Sequence, residues 1–488
     1  VEVGGYRNRA FWKHRFTRDG RELTWDEAMK VFVGRSGQPG PATWLGGDYP
    51  EEQADYPVSG VSWYEAAAYA ESAGMSLPTS AHWNVARGGH TPMVQSFTTG
   101  GFALLAPFSN FGRSGPVRVG SLPNVTAYGA YDMPGNVREW CWNETPVGRV
   151  IRGGAWEDNT YEFGEERHAP AIDRSPRNGF RLARYPDGAG ATGAAFAAVR
   201  PVELPDARAE RPVSDEIFKV YREQTFAYDK TDLHAKVESR KTNPGGWVLE
   251  KVSFDAAYGG ERVTAYLFLP TTSRPPFQTV IYFPGVAARR IPSSEDIETY
   301  YEFPMFLSFL VKSGRAVVFP VYKGTFERSI LPLGWPAEET RANAELQAQA
   351  VKDFRRCLDY LETRTEIDSR KLAFYGMSWG GDLGGIIPAV EDRLAASVLL
   401  AGGLCREKRP EMQTINYVTR VRVPTLMLNG KYDTLIDLHS HIRPMFDLLG
   451  TPPEDKRLIV YDTDHIPPRS EYIKETLAWL DKYLGPAR

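Results

Sequence analysis

Gly376-Met377-Ser378-Trp379-Gly380 is the one G-x-S-x-G in the chain, and its surroundings give it chemical meaning. The apolar run 371–375 reads as a strand and leads straight into it, and a helical pattern follows. A tight strand-to-helix turn needs glycines, because side chains there would clash with both elements, and it presents the central serine at the sheet's edge. A serine hydroxyl is a poor nucleophile unless a histidine takes its proton and an acid orients that histidine. Three histidines lie downstream. His439 and His441 fall close behind the apolar run 425–428 and crowd the candidate acid, whereas His465 sits in the loop 463–468 after the run 457–461. His465 is therefore read as the base. Asp433, just past 425–428, is read as the orienting acid; Asp437, four residues on and entering a helix, is the rival. Asp464, next to His465, is assigned to shaping the loop.

Attack on an acyl carbonyl also needs two backbone N–H groups for the negative charge that develops on its oxygen. One is expected from Trp379, after the nucleophile. The other is placed at Val286, with Ala287 as the alternative, in the turn 283–287 that follows the apolar run 279–283. Lys323, Glu327 and Arg328 are noted as pocket candidates, but a solvated loop accounts for them as well.

The elements that position these residues alternate in type. Apolar, β-branched runs at 263–269, 279–283, 315–321, 371–375, 397–401, 425–428 and 457–461 are interleaved with helical patterns at 338–363 and 470–483. That alternation predicts a mostly parallel sheet covered on both faces. Ser214 opens an amphipathic stretch before it. Residues 186–212, rich in small residues, Gly and Pro at their start, read as a linker. Residues 1–185, rich in Gly, Trp and Tyr with helical patterns at 62–72 and 80–87, read as a loop-rich α+β domain with short strands.

Composition narrows the function classes. With 488 residues, several domains are expected. A formal net charge of −3 and the lack of a long basic run give no footing for nucleic acid or an anionic membrane surface. No run of 18 apolar residues is present, so no membrane segment is expected in this chain. Three scattered cysteines, Cys141, Cys357 and Cys405, form no disulfide framework or metal spacing and are read as buried thiols. The chain starts at Val1 without Met and reads as a fragment, whose upstream segment could carry a targeting signal or another domain. Nothing selects between a cytoplasmic and a periplasmic location.

Two resemblances follow from the motifs. Residues 213–488 resemble the α/β-hydrolase superfamily, and within it the dienelactone-hydrolase-like and acetyl-xylan-esterase-like serine esterases. The likeness rests on 258–263 (YGGERV), the turn at Gly285, the elbow with its second glycine Gly381, 429–433 (NGKYD) and 463–465 (TDH). It implies an α/β fold, the chain order nucleophile, acid, base, and a small-molecule ester as substrate with no cofactor required. Dienelactone hydrolases proper carry cysteine at the elbow; this chain has Ser378, so their substrate does not carry over.

Residues 4–185 resemble the sulfatase-modifying, formylglycine-generating enzyme family, whose fold is C-type-lectin-like. The motifs are Val61-Ser62-Trp63, Leu77-Pro78-Thr79 with Trp83 and 86–89 (ARGG), 128–140 (YGAYDMPGNVREW), 152–156 (RGGAW) and Gly179-Phe180-Arg181. Active members place two copper-binding cysteines shortly after the RGG-aromatic motif. Here Asp158 and Phe163 stand at those places, and a soft copper site needs thiolates, so no copper oxidation is expected. Asn136 and Glu139 resemble the family's structural calcium region; a turn-fixing asparagine and a salt-bridged glutamate explain them equally. Trp63, Trp83, Trp140, Trp142 and Trp156 are read as core.

The reading is a serine esterase acting through an acyl-enzyme on Ser378. The N-terminal domain is expected to be non-catalytic and to shape or cover the site. Two alternatives stand beside it: a non-catalytic ligand-binding or sensing platform of a larger, kinase-linked protein, and an acyltransferase or peptidase with the same triad.

Overall fold

Capping boxes start the first helices. Thr24 accepts from the Glu27 amide while the Glu27 carboxylate accepts from the Thr24 amide, opening helix Trp25–Val31; Ser62 and Glu65 repeat the device for Trp63–Ser72. Thr79 caps Ser80–Ala86. The computed structural model describes residues 5–87, 108–126, 128–158, 160–163, 166–185, 193–200, 206–330, 339–404, 409–431, 433, 435–463 and 465–487. The chain divides into two compact units, Val1–Glu203 and Leu204–Arg488. Residues 186–192 and 201–205 of the stretch read as a linker, and Gly88, Gly89, Cys405 and Asp464, lie outside the described residues.

The first unit is α+β with short strands. β1 (Phe16–Arg18) and β2 (Arg21–Leu23) pair as a hairpin. β3 (Arg138–Thr145), β4 (Gly148–Arg152), β5 (Arg167–Ala169) and β6 (Asn178–Gly179) form a sheet in the order β5-β4-β3-β6. Trp63, Trp83 and Trp140 are core residues with satisfied N–H groups, Trp156 is buried, and Trp142 is only partly buried. Trp63 donates to the Cys141 carbonyl at 2.8 Å and Trp140 to the Val61 carbonyl at 2.9 Å.

In the second unit, nine strands among the described residues make one sheet. They are β7 (Lys236–Asn243), β8 (Trp247–Asp255), β9 (Arg262–Pro270), β10 (Phe277–Phe283), β11 (Ala316–Pro320), β12 (Ile367–Met377), β13 (Leu394–Leu400), β14 (Thr425–Gly430) and β15 (Lys456–Tyr461). The order is β15-β14-β13-β12-β10-β11-β9-β8-β7. From β15 to β11 every neighbour pair is parallel; β11/β9, β9/β8 and β8/β7 are antiparallel.

Successive side chains of the central strands enter opposite cores, as a period of two requires. Ile281 and Phe283 of β10 join Leu372 and Phe374 of β12 in one cluster with Val351, Phe354 and Leu358 of helix Arg341–Glu362. Val280, Tyr282, Ala373 and Tyr375 join the other, with Tyr472, Trp479 and Leu480 of helix Arg469–Leu484. Because both faces are covered, the central strands read as unbroken apolar runs. No described helix is long and apolar enough to cross a membrane.

Candidate active site

The loops at the carboxyl ends of four parallel strands meet, the position where open α/β sheets hold their ligands. β12 ends at Met377, and Ser378 follows with φ 53° and ψ −106°. A non-glycine residue with positive φ costs about 1–3 kcal/mol and persists only where its surroundings enforce it. Here the Ser378 amide donates to the Leu400 carbonyl at 2.8 Å, and its carbonyl accepts from the Asp382 amide at 3.0 Å. The glycines allow the close approach: a Cβ on Gly376 would overlap the Gly380 carbonyl, and one on Gly380 would overlap the carbonyl of Phe283. Gly380→Ala is therefore expected to destabilise the second unit by about 1–3 kcal/mol or more and to lower kcat beyond that loss of folded protein. Thermal denaturation and active-site titration measure the two effects. The helix after the elbow is short, Trp379–Leu383, before Gly384 and Gly385.

The three expected side chains come together. His465 Nε2 lies 2.9 Å from Ser378 Oγ, and His465 Nδ1 lies 2.7 Å from Asp433 Oδ2. With the carboxylate as acceptor, Nδ1–H is the donor and Nε2 is left to accept the serine proton. Asp433 is buried, and its Oδ1 accepts from the amides of Leu435 and Ile436, each at 2.9 Å, which fixes the side chain toward His465. Its rival is engaged elsewhere. Asp437 caps the turn Leu438–Ile442, accepting from the amides of His439 and Ser440 and from the Ser440 hydroxyl. Burial pushes the Asp437 carboxyl up, but these bonds hold it below the ordinary value.

Val286 opens the short turn Val286–Arg289 after β10, with Ala287 second in it. The elbow and this turn are bonded to each other: the Gly380 amide donates to the Pro284 carbonyl at 3.2 Å. The Arg289 guanidinium stacks on the Trp379 ring, 4.0 Å from its centroid.

The loop at 323–328 is not a solvated one. Arg328 is mostly buried and pairs with Asp353 at 2.6 Å and Glu261 at 3.1 Å, while Lys323 reaches Glu261 at 2.6 Å. Glu327 accepts from the Ser294 amide and hydroxyl. These residues tie neighbouring loops together, and the reason lies in Asp353: a carboxylate without exposed surface on helix Arg341–Glu362 demands a cation. Glu302 was not anticipated at all. It is fully buried and accepts from the Gly285 amide, and nothing in the stretch 291–305 sets it apart from Glu295 and Glu298 as the glutamate with that role.

In the first unit, Asn136 and Glu139 are committed to protein partners. Asn136, at φ 66°, accepts from the Val117 amide at 2.9 Å and from Asn110 at 3.1 Å. Both oxygens of Glu139 face Arg181, at 2.5 and 2.6 Å, and Trp83 also donates to it. The turn and the salt bridge therefore account for both residues, and no cluster of three His, Cys, Asp or Glu suited to a metal occurs among the described residues. At the two positions where the resemblance implies cysteines, Asp158 pairs with Arg138 at 2.6 and 2.8 Å, and Phe163 packs on Trp83. Cys141 and Cys357 are buried free thiols.

Comparison with known proteins adds the families. Residues 1–186 match the Sulfatase-modifying factor enzyme 1-like domain, and residues 310–449 match the Dienelactone hydrolase family. The second match contains Ser378 and Asp433. A serine/threonine-protein kinase pkn1 of Chlamydia pneumoniae is 36% identical over 154 residues, 27% of this chain and 24% of that protein. An inactive C-alpha-formylglycine-generating enzyme 2 of Mus musculus is 31% identical over 150 residues, 28% of this chain and 46% of that protein. The chain thus spans about a quarter of the length of the first of these relatives. Acetyl xylan esterase 1 from Thermoanaerobacterium sp. JW/SL YS485 is a solved structure with 16% identity and a TM-score of 0.45, covering 58% of this chain and 100% of that one. The chain thus carries, in order, a segment similar to the sulfatase-modifying factor enzyme 1-like domain and, on the parallel sheet of an α/β fold, a segment similar to the dienelactone hydrolase family.

Proposed function

We propose that the second unit is a serine esterase that hydrolyses a carboxylic ester through an acyl-enzyme. The observation that carries this reading is the hydrogen-bonded chain from Ser378 Oγ through the His465 ring to Asp433. Ser378 Oγ attacks the acyl carbon while His465 Nε2 takes its proton. The carbonyl oxygen becomes an oxyanion received by the N–H groups of Trp379 and Val286. The tetrahedral intermediate collapses, the C–O bond to the alcohol breaks, and His465 returns the proton to the leaving oxygen. Water, deprotonated by His465, then attacks the acyl-enzyme and frees Ser378. Asp433 holds the imidazole in the one tautomer that serves both transfers.

The first unit is proposed to be non-catalytic. Support comes from the Asp158–Arg138 pair and from Phe163, which stand where the resemblance implies copper-binding cysteines. Reaction of the whole chain with a fluorophosphonate probe tests the proposal: one adduct on the Ser378 peptide, with parallel loss of p-nitrophenyl butyrate hydrolysis, is expected. Hydrolysis that persists in a fully labelled chain would sink it.

A further inference from the structure

One peptide of the turn that faces the nucleophile is held at both ends. The carbonyl of Pro284 accepts from the Gly380 amide of the elbow at 3.2 Å. The other end of the same peptide, the Gly285 amide, donates to Glu302 Oε1 at 3.1 Å. Gly285 has no side chain to restrict it, and none fits: a Cβ would come within 2.8 Å of Met377 Sδ and 3.0 Å of Glu302 Oε1. Met377 immediately precedes Ser378. Glycine rotates freely about its backbone bonds, so the direction of the next amide, that of Val286, depends on what pins Gly285.

Glu302 is an expensive pin. It has no exposed surface, and a buried carboxylate without a cation is costly. Its hydrogen-bond donors are neutral, among them Gly285 N–H, Tyr301 O–H at 3.1 Å on the same oxygen, and Tyr282 O–H at 3.0 Å on the other. The titratable groups facing it are Tyr282 from β10, Tyr300 and Tyr301 from its own segment, and Tyr375 from β12. A glutamine or an apolar residue would fill such a site at lower cost if packing were its only purpose. Burial pushes its carboxyl up to about 7, so a substantial share is ionised at neutral pH, where the ionised group can satisfy these donors.

We propose that Glu302 is a positioning residue for acyl transfer: by holding the Gly285 amide it aims the Val286 N–H at the oxyanion. This rests on the reading of Ser378 as nucleophile. Glu302 touches neither substrate nor the reacting atoms, so its effect belongs to the transition state and not to substrate binding.

The test uses the whole chain, with active sites counted by the fluorophosphonate probe. Per labelled site, Glu302→Gln is expected to lower kcat for p-nitrophenyl butyrate about 10- to 100-fold, somewhat less than outright loss of an oxyanion donor, with KM within about 2-fold of wild type. The inhibition constant of a trifluoromethyl ketone, whose adduct carries the oxyanion, should rise by the same factor as kcat falls. A structural role alone would reduce the number of labelled sites and leave both quantities unchanged per site, and that result overturns the proposal. If Glu302→Gln yields no folded protein, Tyr282→Phe gives a second reading. Removing a donor to the carboxylate raises its pKa, so the acid limb of kcat should move to higher pH; a limb that stays in place overturns the proposal. A wild-type chain that neither labels nor hydrolyses the ester overturns the Ser378 reading and this one together, whereas a labelled wild type with an unaltered Glu302→Gln variant overturns this one alone.

Discussion

Ser378→Ala is expected to lower kcat for an activated ester by on the order of 10⁶-fold, with the chain as stable as wild type or more so. In the proposed mechanism the loss is large because the hydroxyl is the bond-forming group and its proton goes to His465 Nε2, 2.9 Å away. Stability should not suffer, since Ser378 sits at φ 53° as the centre of an imposed turn and not as a packing residue. Some catalysis should remain, because the amides proposed to receive the oxyanion belong to the backbone and survive the substitution. Steady-state kinetics with p-nitrophenyl butyrate, alongside thermal unfolding, separates the two effects. A variant within tenfold of wild type would remove Ser378 from the mechanism.

Asp433→Asn is expected to lower kcat about 10⁴-fold while the fold persists. Asparagine fills the same volume, and its carbonyl oxygen can still accept from the amides of Leu435 and Ile436. Its NH₂ group then faces His465 Nδ1, which must accept. The ring takes the other tautomer, with Nε2–H pointed at Ser378 Oγ, where no proton can be taken. Asp437→Asn is the control. Asp437 caps Leu438–Ile442, and asparagine caps a helix about as well as aspartate, so activity should stay within about 3-fold. Equal losses in the two variants would mean that Asp433 has been given the wrong role.

Glu302 also makes a prediction about stability. Its folded pKa of about 7 lies above the ordinary 4.5 because burial penalises the charge. The stability it contributes is therefore complete below about pH 4.5 and is lost as pH rises through 7, a loss approaching about 3 kcal/mol. Glutamine cannot ionise. The melting temperature of Glu302→Gln should accordingly gain on wild type between pH 5 and pH 8 by roughly 5 °C or more. A gap that does not change with pH would contradict the shift. Activity and stability then pull this residue in opposite directions.

Much of this was legible because parallel strands buried on both faces write themselves as apolar runs. The runs at 279–283, 371–375, 397–401, 425–428 and 457–461 correspond to β10, β12, β13, β14 and β15, differing mainly in where each strand begins. Ser378, Asp433 and His465 could be picked out as candidates because the residues after those runs are the loops at one end of the sheet. The edge was not legible. β7 is exposed along nearly its whole length and carries Lys236, Glu238, Arg240 and Lys241, a charged composition that blunts an open edge and erases the apolar signal of a strand. Glu302 and the ion pairs of Arg328 were invisible for another reason: they depend on which distant residues meet, and no local periodicity encodes that.

The two cores have β12 as a common wall, with Phe374 on one side and Tyr375 on the other. This sets where the chain can change length during descent with modification. A single residue gained or lost inside β12 would exchange those side chains between the cores and carry Ser378 to the wrong face of the sheet. A residue gained in an exposed connection at the same end of the sheet, such as the one through Asp462 after β15, only lengthens a surface path, at a modest entropic cost. Diversity of substrate should therefore accumulate in the lengths of such connections, while the strand that delivers the nucleophile keeps its count.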